Sequence, residues 1–389
     1  MGSTPRPKTT PLAWVALGVT LTLVAAAVVP PLLAARRSAA ADEQRFLRME
    51  LEQVAAKATS PAALRRTPDG PLKAVDVAQL ATWAATADDP AAFARLRALL
   101  LDHFLVLNED DPFTHGMVAW AWTPGQPLDA SGTTEALRTA EALLAGLDAE
   151  HPASEPGDAE TAHLILRAYA RHATTEGGLW YVRNYLNLQT RAFATNSFLI
   201  DFDPDLLAAA GERFHDDVLK ETAERSADLI RRCLTPAGLL HQMIRPEVAT
   251  AMGPGYVIYS ANGHEQLSLS LSVAERCVDT APEVARTVLG FTVHALDEHG
   301  TLHQRYRFDT GEPVGDAGAG LETWSPFVRV AAKLGDRAAF DAALPGFLEQ
   351  ARWFADRQLD PAAERPPERV YILGETLLAL RAASAFPPE

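Results

Sequence analysis

Beyond residue 40 the chain reads as amphipathic helical segments, with apolar residues recurring every three or four positions. "FARLRALLLDHFLV" and "AERSADLIRRCL" show the pattern. After such segments a glycine introduces a short apolar run with strand-like alternation. The runs are "HGMVAWAW" at Gly116, "GGLWYV" at Gly178, "AGLLHQMI" at Gly238 and "HGTLHQRY" at Gly300, spaced 62, 60 and 62 residues apart. A loop and a second apolar helix follow each, with helix starts predicted near Asp76, Thr134, Asp203, Asn262, Glu322 and Tyr371. "GQPLDASGTTEALRTAEALL" from Gly125 also parallels "GEPVGDAGAGLETWSPFVRVAAKL" from Gly311. A fixed period of this size marks a supersecondary unit that buries its face against its neighbours. Six helix pairs, each joined by a short strand-bearing loop, predict an all-α (α/α)6 toroid over residues 60–385, the second helix of each pair forming the inner ring. An open solenoid is the alternative, and six units in one chain favour closure. No βαβ alternation or dinucleotide glycine motif supports a doubly wound sheet.

The N-terminus departs from this rhythm. Residues 11–35, "PLAWVALGVTLTLVAAAVVPPLLAA", carry no charge. They exceed the ~20 apolar residues that cross a bilayer. Arg6 and Lys8 precede them, and Arg36 and Arg37 follow. A cleavable signal peptide is the rival reading, with the small residues of "SAAAD" as its cleavage site. The Arg36–Arg37 pair between the apolar run and that site favours an uncleaved transmembrane anchor. The chain then divides into a tail at 1–10, an anchor at 11–35, a juxtamembrane segment with a first helix at 36–59, and the toroid. The flanking charges are balanced, so the positive-inside rule assigns no orientation.

Composition narrows the function classes. A hydrophobic content of 48% supports a sizeable core. A formal charge of -15 repels phosphate backbones and excludes nucleic acid as the expected partner. Cys233 and Cys277 both fall in helical pattern and read as buried structural thiols. No HExxH, paired CxxC or GxSxG occurs, and no metal or cofactor is expected. "DFDPD", from Asp201, lacks the spacing and closing Glu of a calcium loop. Pro204 in a first helical turn, with Asp203 as its cap, accounts for it.

A closed toroid offers a groove over the ends of its inner helices. Asp76, Glu135, Asn262, His264, Glu265 and Glu322 would sit near that mouth. Each also has an ordinary explanation. Asp76 suits a first helical turn. Thr133-Thr134-Glu135 suits a helix start, and Asn262 with Glu265 three residues later suits a capping box. Glu322 repeats Glu135. Trp120, Trp122, Trp180 and Trp324 could stack on sugar faces or fill the core.

The order and spacing of several segments resemble glycoside hydrolase family 8, inverting enzymes of (α/α)6 fold that include endoglucanases and chitosanases. The segments are "PDGPLKAVDVAQL", "MVAWAWTPGQPLDASGTTEAL", "NSFLIDFDPDLLAAAG", "TPAGLLHQMIRPE", "YSANGHEQLSL" and "VYILGETLLALRAA". The resemblance spans roughly residues 60 to 385. It places the family's general-acid Glu at Val75, beside Asp76, and the acid of its second motif at Thr134, beside Glu135. The family's base falls at Asn262, an amide that cannot take a proton at neutral pH. Inverting glycosidases need two carboxyl groups ~6.5–9.5 Å apart, one protonated and one ionised. The resemblance therefore implies one of three things. The chain binds an exported polysaccharide without cleaving it; or it cleaves with relocated carboxylates, Asp76 as acid and Glu265 or Glu135 as base; or the toroid scaffolds an envelope assembly. Thr134, Asn262, His264, Glu322, Trp324 and Trp122 are the expected sugar-binding residues. With the anchor, the resemblance implies a single-pass membrane protein whose globular domain lies outside the cytoplasm, with exopolysaccharide-synthesis proteins as candidate partners.

Overall fold

The computed structural model describes residues 39–87, 89–248, 253–260, 263–359 and 368–386. The predicted anchor at 11–35 and Asn262 lie outside the described residues. Among the described residues no helix is long and apolar enough to cross a membrane.

The helices are α1 (39–57), α2 (Pro61–Leu64), α3 (Ala74–Thr86), α4 (Pro90–His103), α5 (Thr133–Asp148), α6 (Asp158–Ala170) and α7 (Pro204–Arg213). They continue with α8 (Asp217–Arg232), α9 (Leu267–Glu275), α10 (Pro282–His299), α11 (Leu321–Lys333), α12 (Arg337–Leu359) and α13 (Arg369–Ala385). The short α2 apart, they alternate between an outer and an inner layer. Outer α8 is buried along one side, at Leu219, Thr222, Ala223, Ser226, Ala227, Leu229 and Ile230, because it covers the ring from that side. Inner α3 is buried from Asp76 to Ala85 and inner α11 from Thr323 to Ala331, because neighbours enclose them. Five inner starts, at Ala74, Thr133, Pro204, Leu321 and Arg369, fall within two residues of the positions the periodicity predicts.

The inner ring closes on itself. α3 packs on α5, α9 on α11, α11 on α13, and α13 returns to α3. Between α5 and α9 the 3-10 turn Leu199–Asp201 ahead of α7 touches both helices. Polar groups bridge this seam. Arg138 of α5 reaches Asp203 at 2.6 Å, and Arg276, just past α9, donates to the Ile200 carbonyl at 2.7 Å.

Antiparallel strand pairs crown the ring near the inner-helix starts. Leu72–Lys73 pairs with Ala121–Trp122, Ala130–Gly132 with Tyr185–Asn187, and His264–Gln266 with Arg305–Arg307. The four glycines of the sequence rhythm all take positive φ, from +68° at Gly300 to +95° at Gly238. Gly300 is the C-cap of α10, and Gly178 lies in the turn between the paired strands Ala173–Glu176 and Leu179–Val182, conformations that a Cβ disfavours.

Three sequence expectations are corrected. The stretch ending in Glu265 does not cap a helix. His264–Gln266 is a strand, and α9 starts at Leu267 with Gln266 as its N-cap. Strand alternation turns Glu265 inward, where its carboxylate meets His241 Nδ1 at 2.7 Å and receives the Ser260 hydroxyl. Trp324 sits in the core at 6% exposure. Its Nε1 donates to the Ala319 carbonyl, and its ring occupies the space that Gly346 leaves open. Trp122 stacks on His103 with ring centroids 4.0 Å apart, which commits its face to the protein.

Charges also close the ring's interior. Arg329 of α11 bridges Glu275 of α9 and Glu375 of α13, at 2.8 and 2.5 Å, and Gln79 of α3 donates to Glu375. The Arg329 and Lys333 charges hold the Glu275 carboxyl far below the usual range, against a burial effect that raises it. Replacing Arg329 with Ala leaves the buried Glu375 without a cation and Glu275 with Lys333 alone. The expected loss is about 3–5 kcal/mol of stability in denaturant unfolding of the purified domain. An unchanged midpoint would remove this network from the list of what holds the ring closed.

Candidate active site

A cleft of about 410 Å³ opens over the starts of α5 and α7. Glycine and threonine at the head of α5 build its floor. Gly132 is the N-cap, without a side-chain cap. The Thr133 hydroxyl donates to the Asn184 carbonyl at 2.8 Å, and the Thr134 hydroxyl donates to Asp201 Oδ1 at 2.7 Å. Both threonines therefore join α5 to the strand layer and to the turn before α7, instead of capping α5. Glu135 folds back beneath Gly132. Its Oε2 lies 1.8 Å from where a Gly132 Cβ would stand, so only glycine leaves room for the carboxylate in this position.

Asp201 arrives from the other side. Its carboxylate accepts from the Thr134 hydroxyl and the Phe198 amide, and the Tyr169 hydroxyl pins its carbonyl at 2.7 Å. Asp201 is 5% exposed. Burial pushes its carboxyl up to about 7, the Thr134 hydroxyl opposes the rise, and the neighbouring Glu135 charge adds to it. Burial also raises Glu135, and the Lys73 ammonium pulls it back. Among the described residues neither carboxylate has an ion-pair partner. Two interacting carboxyl groups, one poised near neutrality, can hold one proton and one charge at once.

The walls suit a polar ring-shaped ligand. Trp120 and Tyr185 are 41% and 45% exposed at the rim. The Lys73 ammonium lies 3.4 Å from the Trp120 ring centroid, and Asp129 accepts from the Trp120 Nε1 at 2.8 Å, which fixes the indole. Asn184 Oδ1 is buried and has no hydrogen-bond partner, which leaves an acceptor for a ligand donor.

The other expected site residues lie elsewhere or are engaged. Asp76 is buried beside the cleft, its two oxygens each taking a 2.8 Å hydrogen bond from Arg66. Burial raises its carboxyl and Arg66 opposes that rise. A bidentate guanidinium occupies the lone pairs that a proton-transfer role needs. Glu265 is fully buried with His241 and Ser260. Glu322 accepts from the Gly320 amide at 3.2 Å, a local helix-start contact, and His264 pairs with Arg307 across two strands. Of the residues singled out in the sequence the cleft brings together Trp120, Thr134 and Glu135. Asp201, Asp129, Tyr185 and Asn184 were not among them. The "DFDPD" stretch held a signal for Asp201: residues two apart around Phe202 can serve different neighbours, and Asp203 alone supplies the cap, accepting from the Leu206 amide at 3.1 Å.

No family model and no curated protein matches the chain. Solved structures do. A novel alpha-amylase from Clostridium perfringens superposes with a TM-score of 0.64 at 14% identity, covering 81% of this chain and 88% of that one. A beta-1,3-1,4-glucanase from Paenibacillus sp. X4 gives 0.61 at 13% identity, covering 87% and 93%. PssZ from Listeria monocytogenes gives 0.58 at 14% identity, covering 79% and 86%. The chain has the fold of glycoside hydrolases. At these identities the likeness speaks for the fold alone.

The raised Asp201 carboxyl has a stability signature. The folded chain keeps this proton up to about pH 7, while the unfolded chain loses it near the ordinary aspartate value of 3.8. The stabilising proton is fully present below about pH 4 and is lost as pH rises through 7. Asp201→Asn should flatten the decline in stability between those limits relative to the parent, by up to about 4 kcal/mol at a cost of 1.36 kcal/mol per pH unit. Denaturant unfolding of both proteins from pH 4 to 8 measures the difference. Parallel curves would show that Asp201 ionises normally in the fold.

Proposed function

We propose that the chain binds and hydrolyses an exported polysaccharide, with Glu135 and Asp201 as the carboxyl pair. The observation that carries this reading is the Glu135–Asp201 cleft itself: two burial-raised carboxyls under a rim of exposed Trp120 and Tyr185, on a toroid shared with glycoside hydrolases. An inverting cleavage needs one carboxyl group to protonate the leaving oxygen and one to activate water. Asp201, poised near neutrality, suits either role, and Glu135 takes the other. Asp76 and Glu265 then hold the frame: Arg66 occupies one, and His241 with Ser260 the other.

A second reading, binding without cleavage, draws on the same rim. Trp120 and Tyr185 offer ring faces, and Asn184 offers an unused acceptor. The clamp on Asp76, beside the position where a family 8 enzyme keeps its acid, favours it. In either case residues 11–35 tether the domain to a membrane with the cleft outside the cytoplasm, where a polymer meets it on export. The charge-free length of that segment supports the tether.

Residues 41–389 incubated with β-glucan, xylan, chitosan and N-acetylglucosamine polymers should release new reducing ends from one of them. Glu135→Gln and Asp201→Asn should each lower the rate by about 10²–10⁴-fold, and Asp76→Asn should lower stability more than rate. Trp120→Ala should weaken polymer binding about 2- to 10-fold in affinity electrophoresis. Binding without reducing ends, lost in Trp120→Ala, would leave the binder as the function. Cleavage that survives both carboxyl substitutions would refute the pair.

A further inference from the structure

The ring encloses a second cavity, of about 440 Å³, and all six inner helices contribute to its lining. Thr86 ends α3, Lys333 ends α11, and Arg381 lies in the last turns of α13. The cavity therefore opens where the inner helices finish. The cleft lies at the other end, because the Ala74 amide at the start of α3 donates to the carbonyl of Trp120 in the cleft rim. Along α3, Ala74 and Thr86 are about 18 Å apart at 1.5 Å per residue.

Five cations and five carboxylates line the cavity. The carboxylates are engaged. Asp203 takes Arg138 at 2.6 Å, Glu141 also pairs with Arg138, and Glu275 and Glu375 share Arg329. Asp205 accepts from the Asp279 and Thr280 amides and the Thr280 hydroxyl, at 2.8 to 3.0 Å. The guanidinium groups keep donors in hand, since each carries five N–H groups. Arg138 is 5% exposed, and its buried Nε has no hydrogen-bond partner. Arg276 is buried and donates to the Ile200 carbonyl, but stands 3.9 Å from Asp203, beyond hydrogen-bond reach. Burial and the neighbouring Arg138 charge pull its guanidinium below the ordinary range, so the carboxylates around it do not compensate it fully. Arg381, exposed at the mouth, donates to the Thr86 carbonyl. A buried donor without an acceptor costs stability, and a ligand that brings the acceptor removes the cost.

We propose that this axial cavity is a second ligand site, for a small oxyanion: a phosphate or carboxylate group, free or carried on a sugar. Arg138, Arg276 and Arg381 supply the donors, and guanidinium forks match both groups. Lys333 adds a point charge at the mouth, next to Glu275 at 3.3 Å. The volume lies at the low end of the ~300–1,000 Å³ of small-molecule pockets, which suits one sugar-sized ligand rather than a polymer. A chain of formal charge -15 repels anions in general, so capture here depends on the local cations. The site stands apart from the cleft and does not depend on what the cleft does.

The full chain, purified in a non-ionic detergent, is titrated calorimetrically at pH 7 with inorganic phosphate, glucose 1-phosphate and glucuronate, with sodium chloride holding the ionic strength constant. At least one of them should bind saturably, one per chain, with a Kd below about 1 mM. The two phosphates binding alone would assign the phosphate group, and glucuronate binding alone the carboxylate. Arg381→Gln, at the exposed mouth, should weaken binding about threefold or more. Arg276→Gln should weaken it about tenfold or more, with unfolding midpoints confirming that both variants fold. Arg286→Gln, exposed on α10 and outside the cavity, should leave it unchanged. No saturable binding of any probe, the parent affinity in Arg381→Gln, or an equal loss in Arg286→Gln would overturn the proposal.

Discussion

The first and last inner helices, α3 and α13, stand at opposite ends of the domain's sequence and pack side by side. Their contact turns a row of helix pairs into a ring, and an enclosed ring needs inner helices that are buried all round. Polar groups are then tolerated inside only with partners. The interior meets that demand with bridges: Arg138 to Asp203, and Arg329 to Glu275 and Glu375. Each bridge also sets the spacing of the helices it joins.

Against this background the cleft is an exception with a physical cause. Most buried carboxylates here meet a cation or an imidazole. Asp201 and Glu135 meet hydroxyls, amides and one another. Hydroxyls and amides stabilise the charge less than a guanidinium does, so burial dominates and the proton is held more tightly. The site forms at the seam between α5 and α9, where the turn before α7, rather than the helix itself, touches both neighbours. A fully packed helix contact there would leave no room for a ligand.

The sequence made the ring legible because its rhythm rests on local rules. A glycine at positive φ sits in the connection after each of four outer helices, and Gly116, Gly178, Gly238 and Gly300 mark these connections at near-equal spacing. The site was legible only in part. Glu135 and Thr134 could be found because they begin a helix whose start was predicted. Asp201 left only the trace of a second acid in "DFDPD", because its role is set by Thr134, 67 residues away, and by burial that no local pattern reveals. Trp324 misled for the reverse reason. Its position after Glu322 matched a groove residue, and the void at Gly346 that receives its ring belongs to another helix. The residues around Glu265 misled because "NGHEQ" satisfies a capping pattern and a strand edge equally well, and pairing with Arg305–Arg307 decides between them.

Ring closure by the chain's two ends also has a consequence for biosynthesis. The inner surface of α3 finds its final partner only in α13, the last of the described helices to be synthesised. Until then a helix buried on nearly every side in the finished molecule has one side uncovered, and the largest loop in the domain is still open. Assembly must therefore be late and long-range, and slow for a helical protein of this size. During that interval the nascent half-ring is the species most exposed to aggregation and to whatever chaperones attend its synthesis.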